Sequence, residues 1–269
     1  MEYLEIRPKP PLDRLVHCFW FLRGEAGPNP PVQTIVPDGR TEIIMHLGEP
    51  FAMLDDAGVE RGQSRALLAG QLRGPIRLVP RGPADVVGIR FRTDAACAVV
   101  PLALHEVTGQ VAPLGDTAPQ LVPALLDAAA LATSMNERVA ALSAALGRLV
   151  AREPTPWISA GVRALGGRPR SPVEHLAAAL GQTPRTMHRR FLEEIGVSPK
   201  ALQSILRFRG AFQLLGELPR GRWTRVASMA GYHDQAHMIR DFRRFAGAPP
   251  SEFFSEEPEL ALAMATLER

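Results

Sequence analysis

Two stretches of this 269-residue chain set basic side chains at helical spacing. In TPRTMHRRFLEEIG, Arg185, His188, Arg189 and Leu192 fall on one stripe, with Met187, Phe191 and Ile195 on the other at i, i+4 and i+8. In DQAHMIRDFRRFAG, Ala236, Arg240 and Arg243 fall on one stripe, with Met238, Phe242 and Phe245 opposite. Arginine offers paired donors that match the two acceptors of guanine, and its charge holds phosphate. The competing reading for any one arginine is a solvated side chain or an internal ion pair. For Arg207 and Arg240 that option is pairing with a nearby carboxylate. For Met187, Phe191, Phe242 and Phe245 the structural reading, core packing, is the stronger one.

Other reactive side chains are sparse. Cys18 and Cys97 are the only cysteines, which gives no disulfide framework and suits a reducing cytosol. Cys18 adjoins His17, but no pair of Cys or His has the spacing of C-x₂-C or H-x-H, so no metal and no cofactor are expected. Cys18 lies in an apolar run, where a buried, inert thiol is usual. The Pro-Cys-His signature of a thiol alkyl acceptor is absent, and the chain is not read as an enzyme.

Each basic stripe needs a partner helix. Ser171-Pro172 opens a first helix, VEHLAAAL, with Val173, Leu176, Ala177 and Leu180 on one face; Gly181 ends it. Thr183-Pro184 opens the second. Helix, tight glycine turn and helix with a basic outer face make a helix-turn-helix, whose second helix enters the major groove. Ser198-Pro199 then opens a long helix, KALQSILRFRGAFQLLGE, with Leu202, Ile205, Leu206, Phe212 and Leu215 on its apolar side. At ~1.5 Å per residue it spans roughly 27 Å, which suits two modules about one DNA turn (~34 Å) apart. The pattern recurs: Trp223–Ala230, a turn at Gly231, a cap at Asp234, and an apolar anchor at Phe253.

Charge divides along the same line. Residues 155–254 hold 15 Arg and Lys against 7 Asp and Glu, a net +8, while the rest holds 16 against 21, a net −5. A basic C-terminal part on an acidic N-terminal part is the layout of a nucleic-acid binder fused to another domain. No apolar run reaches the ~18 residues of a membrane span and the start has no leader pattern, so a cytoplasmic protein is expected.

About seven short apolar runs separated by Gly and Pro fill the first ~95 residues: Leu15–Leu22, Val32–Val36, Glu42–Leu47, a hairpin around Asp55-Asp56-Ala57-Gly58, Leu67–Leu72, Ile76–Val79 and Val86–Arg92. That spacing suits a jelly-roll-like β-sandwich or barrel. A short helix is expected at Asp94–Val100. Leu121–Ala132 and Glu137–Arg152 are Ala/Leu-rich and helical, and they read either as a dimerisation element or as a layer on their own barrel.

The strings GQTPRTMHRRFLEEIGVSPKALQSILRFRGAFQLL and VASMAGYHDQAHMIRDFRRFAGAPPSEF resemble the DNA-binding domain of the AraC/XylS family over about Trp157–Phe254. The marks recur in order: Arg189-Arg190-Phe191, Gly196-Val197-Ser198-Pro199, Arg207, Ala230-Gly231-Tyr232, Asp234-Gln235, His237, Arg240, Phe242 and Gly247 to Pro250. The resemblance implies base readers at Arg185, His188 and Arg189 in the first unit, and at Gln235, Ala236 and Arg240 in the second. Ala236 departs from the commoner polar reader, and Met238 replaces a usual Phe. Phosphate contacts are expected at Thr183, Arg190, Arg207, Arg209, Arg222, Arg243 and Arg244. The N-terminal part is similar to the β-rich, cupin-like regulatory domain of a branch of such regulators, through Cys18-Phe19-Trp20, Pro37-Asp38-Gly39 and Gly88-Ile89-Arg90-Phe91. It implies an effector pocket, with Trp20, His46 and Phe91 as candidate lining, against the reading that Trp20 and Phe91 fill the core.

The expectation is therefore an α+β chain in four parts: a β-rich effector domain at 1–115, a helical connector at 116–154, an all-α double helix-turn-helix domain at 155–255, and a tail at 256–269. Expected partners are double-stranded DNA, RNA polymerase, a small-molecule effector and a second copy, with no membrane. The alternative is a small-molecule-binding β-barrel with a helical scaffold tail.

Overall fold

The computed structural model describes residues 1–25, 27, 30–132, 134–167, 172–217 and 223–255. Its N-terminal part is built on two antiparallel sheets. The larger has the order β1 (Glu2–Ile6), β2 (Val16–Gly24), β9 (Ala84–Phe91), β4 (Glu42–His46), β7 (Ala66–Ala69), β10 (Val111–Pro113). The smaller has the order β3 (Gln33–Ile35), β8 (Ile76–Val79), β5 (Ala52–Leu54), β6 (Glu60–Gly62). The expected hairpin around Asp55–Gly58 is present as β5–β6. The short helix expected near Asp94–Val100 is a single 3₁₀ turn at Ala96–Ala98.

Strand alternation divides β2 and β9 between two cores. Phe19, Phe21, Val87, Ile89 and Phe91 face one side; Cys18, Trp20, Leu22 and Val86 face the other. Burial on both faces explains why LVHCFWFL reads as one unbroken apolar run. On the first face lie α1 (Leu114–Thr117), α2 (Val122–Ala130) and α3 (Met135–Leu149). Leu125, Ala129, Leu142 and Leu146 are fully buried in one core with Phe19, Ile43 and Ile89. The segment expected at 116–154 as a connector is therefore a layer of the β-domain. A capping box between Ser134 and Glu137 fixes the start of α3. The smaller sheet covers the second face.

The C-terminal part contains α4 (Pro156–Gly166), α5 (Val173–Ala179), α6 (Pro184–Ile195), α7 (Pro199–Glu217), α8 (Trp223–Ala230), α9 (Gln235–Ala246) and α10 (Pro250–Phe253). It has two cores. Ile158, Leu176, Met187, Phe191, Ile195 and Leu202 form the first; Ile205, Phe208, Phe212, Val226, Met238 and Phe242 are among the second. Helix α7 contributes to both. Phe208, buried completely, sets its ring 4.9 Å from that of Phe242 and 5.2 Å from that of Phe245. Gly181 (φ 66°) and Gly231 (φ 80°) occupy the left-handed region at equivalent turns. Ser171, Arg222 and the expected tail at 256–269 lie outside the described residues.

The two parts touch. Thr108 Oγ1 donates to the carbonyl of Gly196 at 2.6 Å, where α6 ends. Arg209 on α7 donates to the carbonyl of Asp38 at 3.4 Å.

Candidate nucleic-acid interface

Helix α6 is fixed by its caps. The Thr183 hydroxyl accepts from the Thr186 N–H at 3.1 Å, and Gly196 (φ 94°) closes the other end. Its apolar face is consumed by Met187, Phe191 and Ile195, all buried. Arg185, His188 and Arg189 are thereby turned to solvent together. Arg189 makes an i,i+4 pair with Glu193 at 2.8 Å and keeps its side chain 62% exposed. An exposed pair of this kind contributes little to stability and leaves the guanidinium exchangeable for a base edge.

Helix α9 repeats the plan with less on its outer face. Asp234 caps it through the His237 N–H at 2.6 Å, and Met238, Phe242 and Phe245 are buried. Ala236, Arg240, Arg243 and Arg244 are exposed. Gln235 is half-buried and its Oε1 accepts from the Thr224 hydroxyl at 3.0 Å, which fixes the amide relative to α8. Ala236 presents only a methyl group. Of the residues expected to read bases, the first face presents three polar side chains at its outer stripe and the second two, one of them tied to α8.

Three of the arginines expected on phosphate are engaged inside the protein. Arg190 pairs with Glu193 and with the fully buried Glu194, and donates to the Thr155 hydroxyl at 3.2 Å. Arg207 donates to Asp241 at 3.0 Å and lies over the Tyr232 ring at 4.7 Å, with its side chain only 15% exposed. Arg209 is held against the β-domain. The carboxylates of Arg190 lie on its own helix at i+3 and i+4, whereas Arg207 and Arg209 find a carboxylate, a ring and a carbonyl on other elements, which a single helix wheel does not show. Thr183, Arg243 and Arg244 remain at the surface, and Arg222 is outside the described residues.

A second candidate site lies between the two sheets. A largely apolar cavity of about 100 Å³ is lined by Trp20, Leu22, His46, Phe51 and Leu78, and closed on one side by Phe208 and Phe212 of α7. Trp20 fits because it stands opposite Gly88, where a Cβ would fall 1.9 Å from the indole. Trp20 Nε1 donates to Glu42 at 2.9 Å, and Glu42 also accepts from Arg90, whose other nitrogen donates to Glu5 at 2.8 Å. Burial pushes His46 down to about 4, so its ring is neutral at pH 7. Its Nε2 meets Gln63 Oε1 at 3.2 Å, and its buried Nδ1 has no hydrogen-bond partner among the described residues. Phe91 lies on the other face of β9, in the core under the helices, and does not line this cavity. Residues Arg90, Glu42, Gly88 and Phe208 had no place in the sequence-based site; the glycine inside an apolar strand was the available signal.

The cysteines are buried and apart. Burial pushes Cys18 up to about 12 and Cys97 up to about 11, which keeps both as thiols. Glu5, His17 and Cys18 bring potential ligand atoms within 4.8 Å of one another. That trio is hostile to a cation: Arg90 holds Glu5, and Cys18 is protonated.

No curated protein matches the chain. Among solved structures, an apo lysine-to-alanine variant of ToxT from Vibrio cholerae strain SCE256 is similar at 12% identity and TM-score 0.47, covering 88% of this chain and 97% of that one. Wild-type ToxT from the same strain with an unsaturated fatty acid bound is similar at 13% identity and TM-score 0.43, covering 87% and 94%. Residues 4–113 match a domain of unknown function (DUF6597). Residues 176–256, which span α6, α7 and α9, match a helix-turn-helix domain of the AraC type. The C-terminal part of this chain is thus an AraC-type helix-turn-helix domain, and the chain is a DNA-binding transcription regulator.

Proposed function

We propose that the regulator reads its operator mainly through α6, with Arg185, His188 and Arg189 on base edges, and that α9 adds Arg240 and Gln235 while gripping phosphate through Arg243 and Arg244. The carrying observation is the outer face of α6, where three exposed polar side chains stand in one stripe over a fully buried apolar one. Exposed N–H groups at the Thr183 end add a further phosphate contact. Bound in this way to double-stranded DNA, the protein recruits or blocks RNA polymerase. The cavity between the sheets suits a small, mostly apolar effector that gives one hydrogen bond to His46 Nδ1. Because α7 closes that cavity, filling it bears directly on the helix that carries both units. Binding to random duplex DNA at rising salt tests the reading. A regulator loses affinity steeply as counterions cease to be released, whereas a β-barrel with a scaffold tail shows little binding at any salt.

A further inference from the structure

A second opening between the β-domain and the helical domain has a different character. It is a polar cleft of about 840 Å³, within the range of small-molecule sites. Arg7, Arg14, Arg40 and Arg92 reach it from the β-domain, and Arg163 of α4 and Arg209 of α7 from the other side. Against these six stand Asp13 and Asp94. Arg14 pairs with Glu153 at 2.9 Å and Arg40 with Asp38 at 3.9 Å, which leaves four arginines of the wall against Asp13 and Asp94. Arg92 donates to the carbonyl of Asp13 at 3.3 Å, which takes a hydrogen bond and leaves the charge in place. Arg163 is exposed and makes no ion pair among the described residues.

His17, on the same wall, senses the surplus. Burial, and then the charges of Arg40, Arg90, Arg209 and Arg92, hold its imidazole down to about 3. Burial, with Arg40 beside it, likewise lowers Arg209 to about 9. Such a field repels cations and is relieved by an anion.

We propose that this cleft binds a small polyanion carrying two or more phosphate groups, held between Arg92 of the β-domain and Arg163 of the helical domain, with the more buried Arg40 and Arg209 behind them. Planar guanidinium groups match phosphate oxygens in pairs. A single carboxylate offsets one charge, whereas a pyrophosphate or triphosphate group matches the surplus of the wall. No residue of α6 or α9 lines the cleft, which separates it from the DNA-reading faces. The ligand joins residues of both domains and so fixes their relative placement.

The test is calorimetric titration of the full chain with sodium triphosphate at constant ionic strength. The wild type binds; the paired Arg92→Ala, Arg163→Ala variant binds at least tenfold more weakly, and Arg61→Ala on β6 binds like the wild type. Both cleft substitutions are at exposed positions, and an unchanged melting temperature without ligand verifies the fold. Failure of triphosphate to bind the wild type, or equal binding by the paired variant, overturns the proposal. A paired variant that loses affinity for random duplex DNA, in a protein that ignores triphosphate, also overturns it and assigns the cleft to the DNA backbone.

Discussion

The guanidinium of Arg190 sits on the fully buried carboxylate of Glu194, one turn along the same helix. Its sequence neighbour Arg189 points to solvent. Two adjacent arginines thus divide the work of α6: one is available to DNA, the other ties the helix to its own protein. Glu194 also accepts from Thr155 at 2.9 Å, at the start of α4.

Removing that carboxylate takes away the buried partner and leaves the 31%-exposed Arg190 with Glu193 alone. Glu194→Ala is expected to lower the unfolding free energy by roughly 1–3 kcal/mol, the range for removing one hydrogen-bond partner from a buried group. Denaturant unfolding of the full chain checks this, with Arg189→Ala as the exposed comparison, expected to cost less than about 1 kcal/mol. Equal effects of the two substitutions would place Arg190 in solvent as well.

The cavity between the sheets depends on a missing side chain. At Gly88 a Cβ falls 1.9 Å from the Trp20 indole, so Gly88→Ala forces the ring out of place. The expected cost is about 1–3 kcal/mol of stability. Pairing it with Trp20→Phe, which withdraws the clashing atoms, recovers part of that loss. A Gly88→Ala protein as stable as the wild type would mean that the ring lies elsewhere.

Acid should loosen the same region. His46 titrates at about 4 in the fold because burial disfavours its charge, against about 6.5 when unfolded. Between those values the unfolded chain binds the extra proton, so stability is full above pH ~6.5 and falls as pH drops towards ~4. For one proton the slope is at most about 1.4 kcal/mol per pH unit. His46→Gln is predicted to flatten the measured slope near pH 5 by up to that amount. An unchanged slope would show the imidazole to be solvated.

Most of the architecture was legible because periodicity reports burial. The split of α6 into Met187, Phe191, Ile195 and Arg185, His188, Arg189 follows from a 3.6-residue repeat. The strand runs followed from β-branched and aromatic segments between turns. What stayed hidden depended on contacts distant in sequence. β1 and β10 are short edge strands, and only their pairing with β2 and β7 defines them. The apolar stripe of α2 and α3 does not by itself name the surface it covers; the sheet beneath them takes Leu125, Leu142 and Leu146. An ion pair for Arg207 is among the sequence readings, and Glu193 and Glu194 stand at i+3 and i+4 from Arg190; that Asp241 and the carbonyl of Asp38 are the partners of Arg207 and Arg209 depends on other elements. Phe91 was placed in the cavity through its neighbours, although alternation along β9 puts Arg90 and Phe91 on opposite faces.

The central claim is that α6 reads bases and α9 contributes less. Selection of bound sequences from random duplex DNA by the wild type, Arg189→Ala and Arg240→Ala measures it directly. The account predicts that Arg189→Ala erases preference at one base pair, at a cost of about 1–3 kcal/mol, and that Arg240→Ala changes preference less. An Arg189→Ala protein that selects the wild-type sequence with wild-type affinity would contradict it.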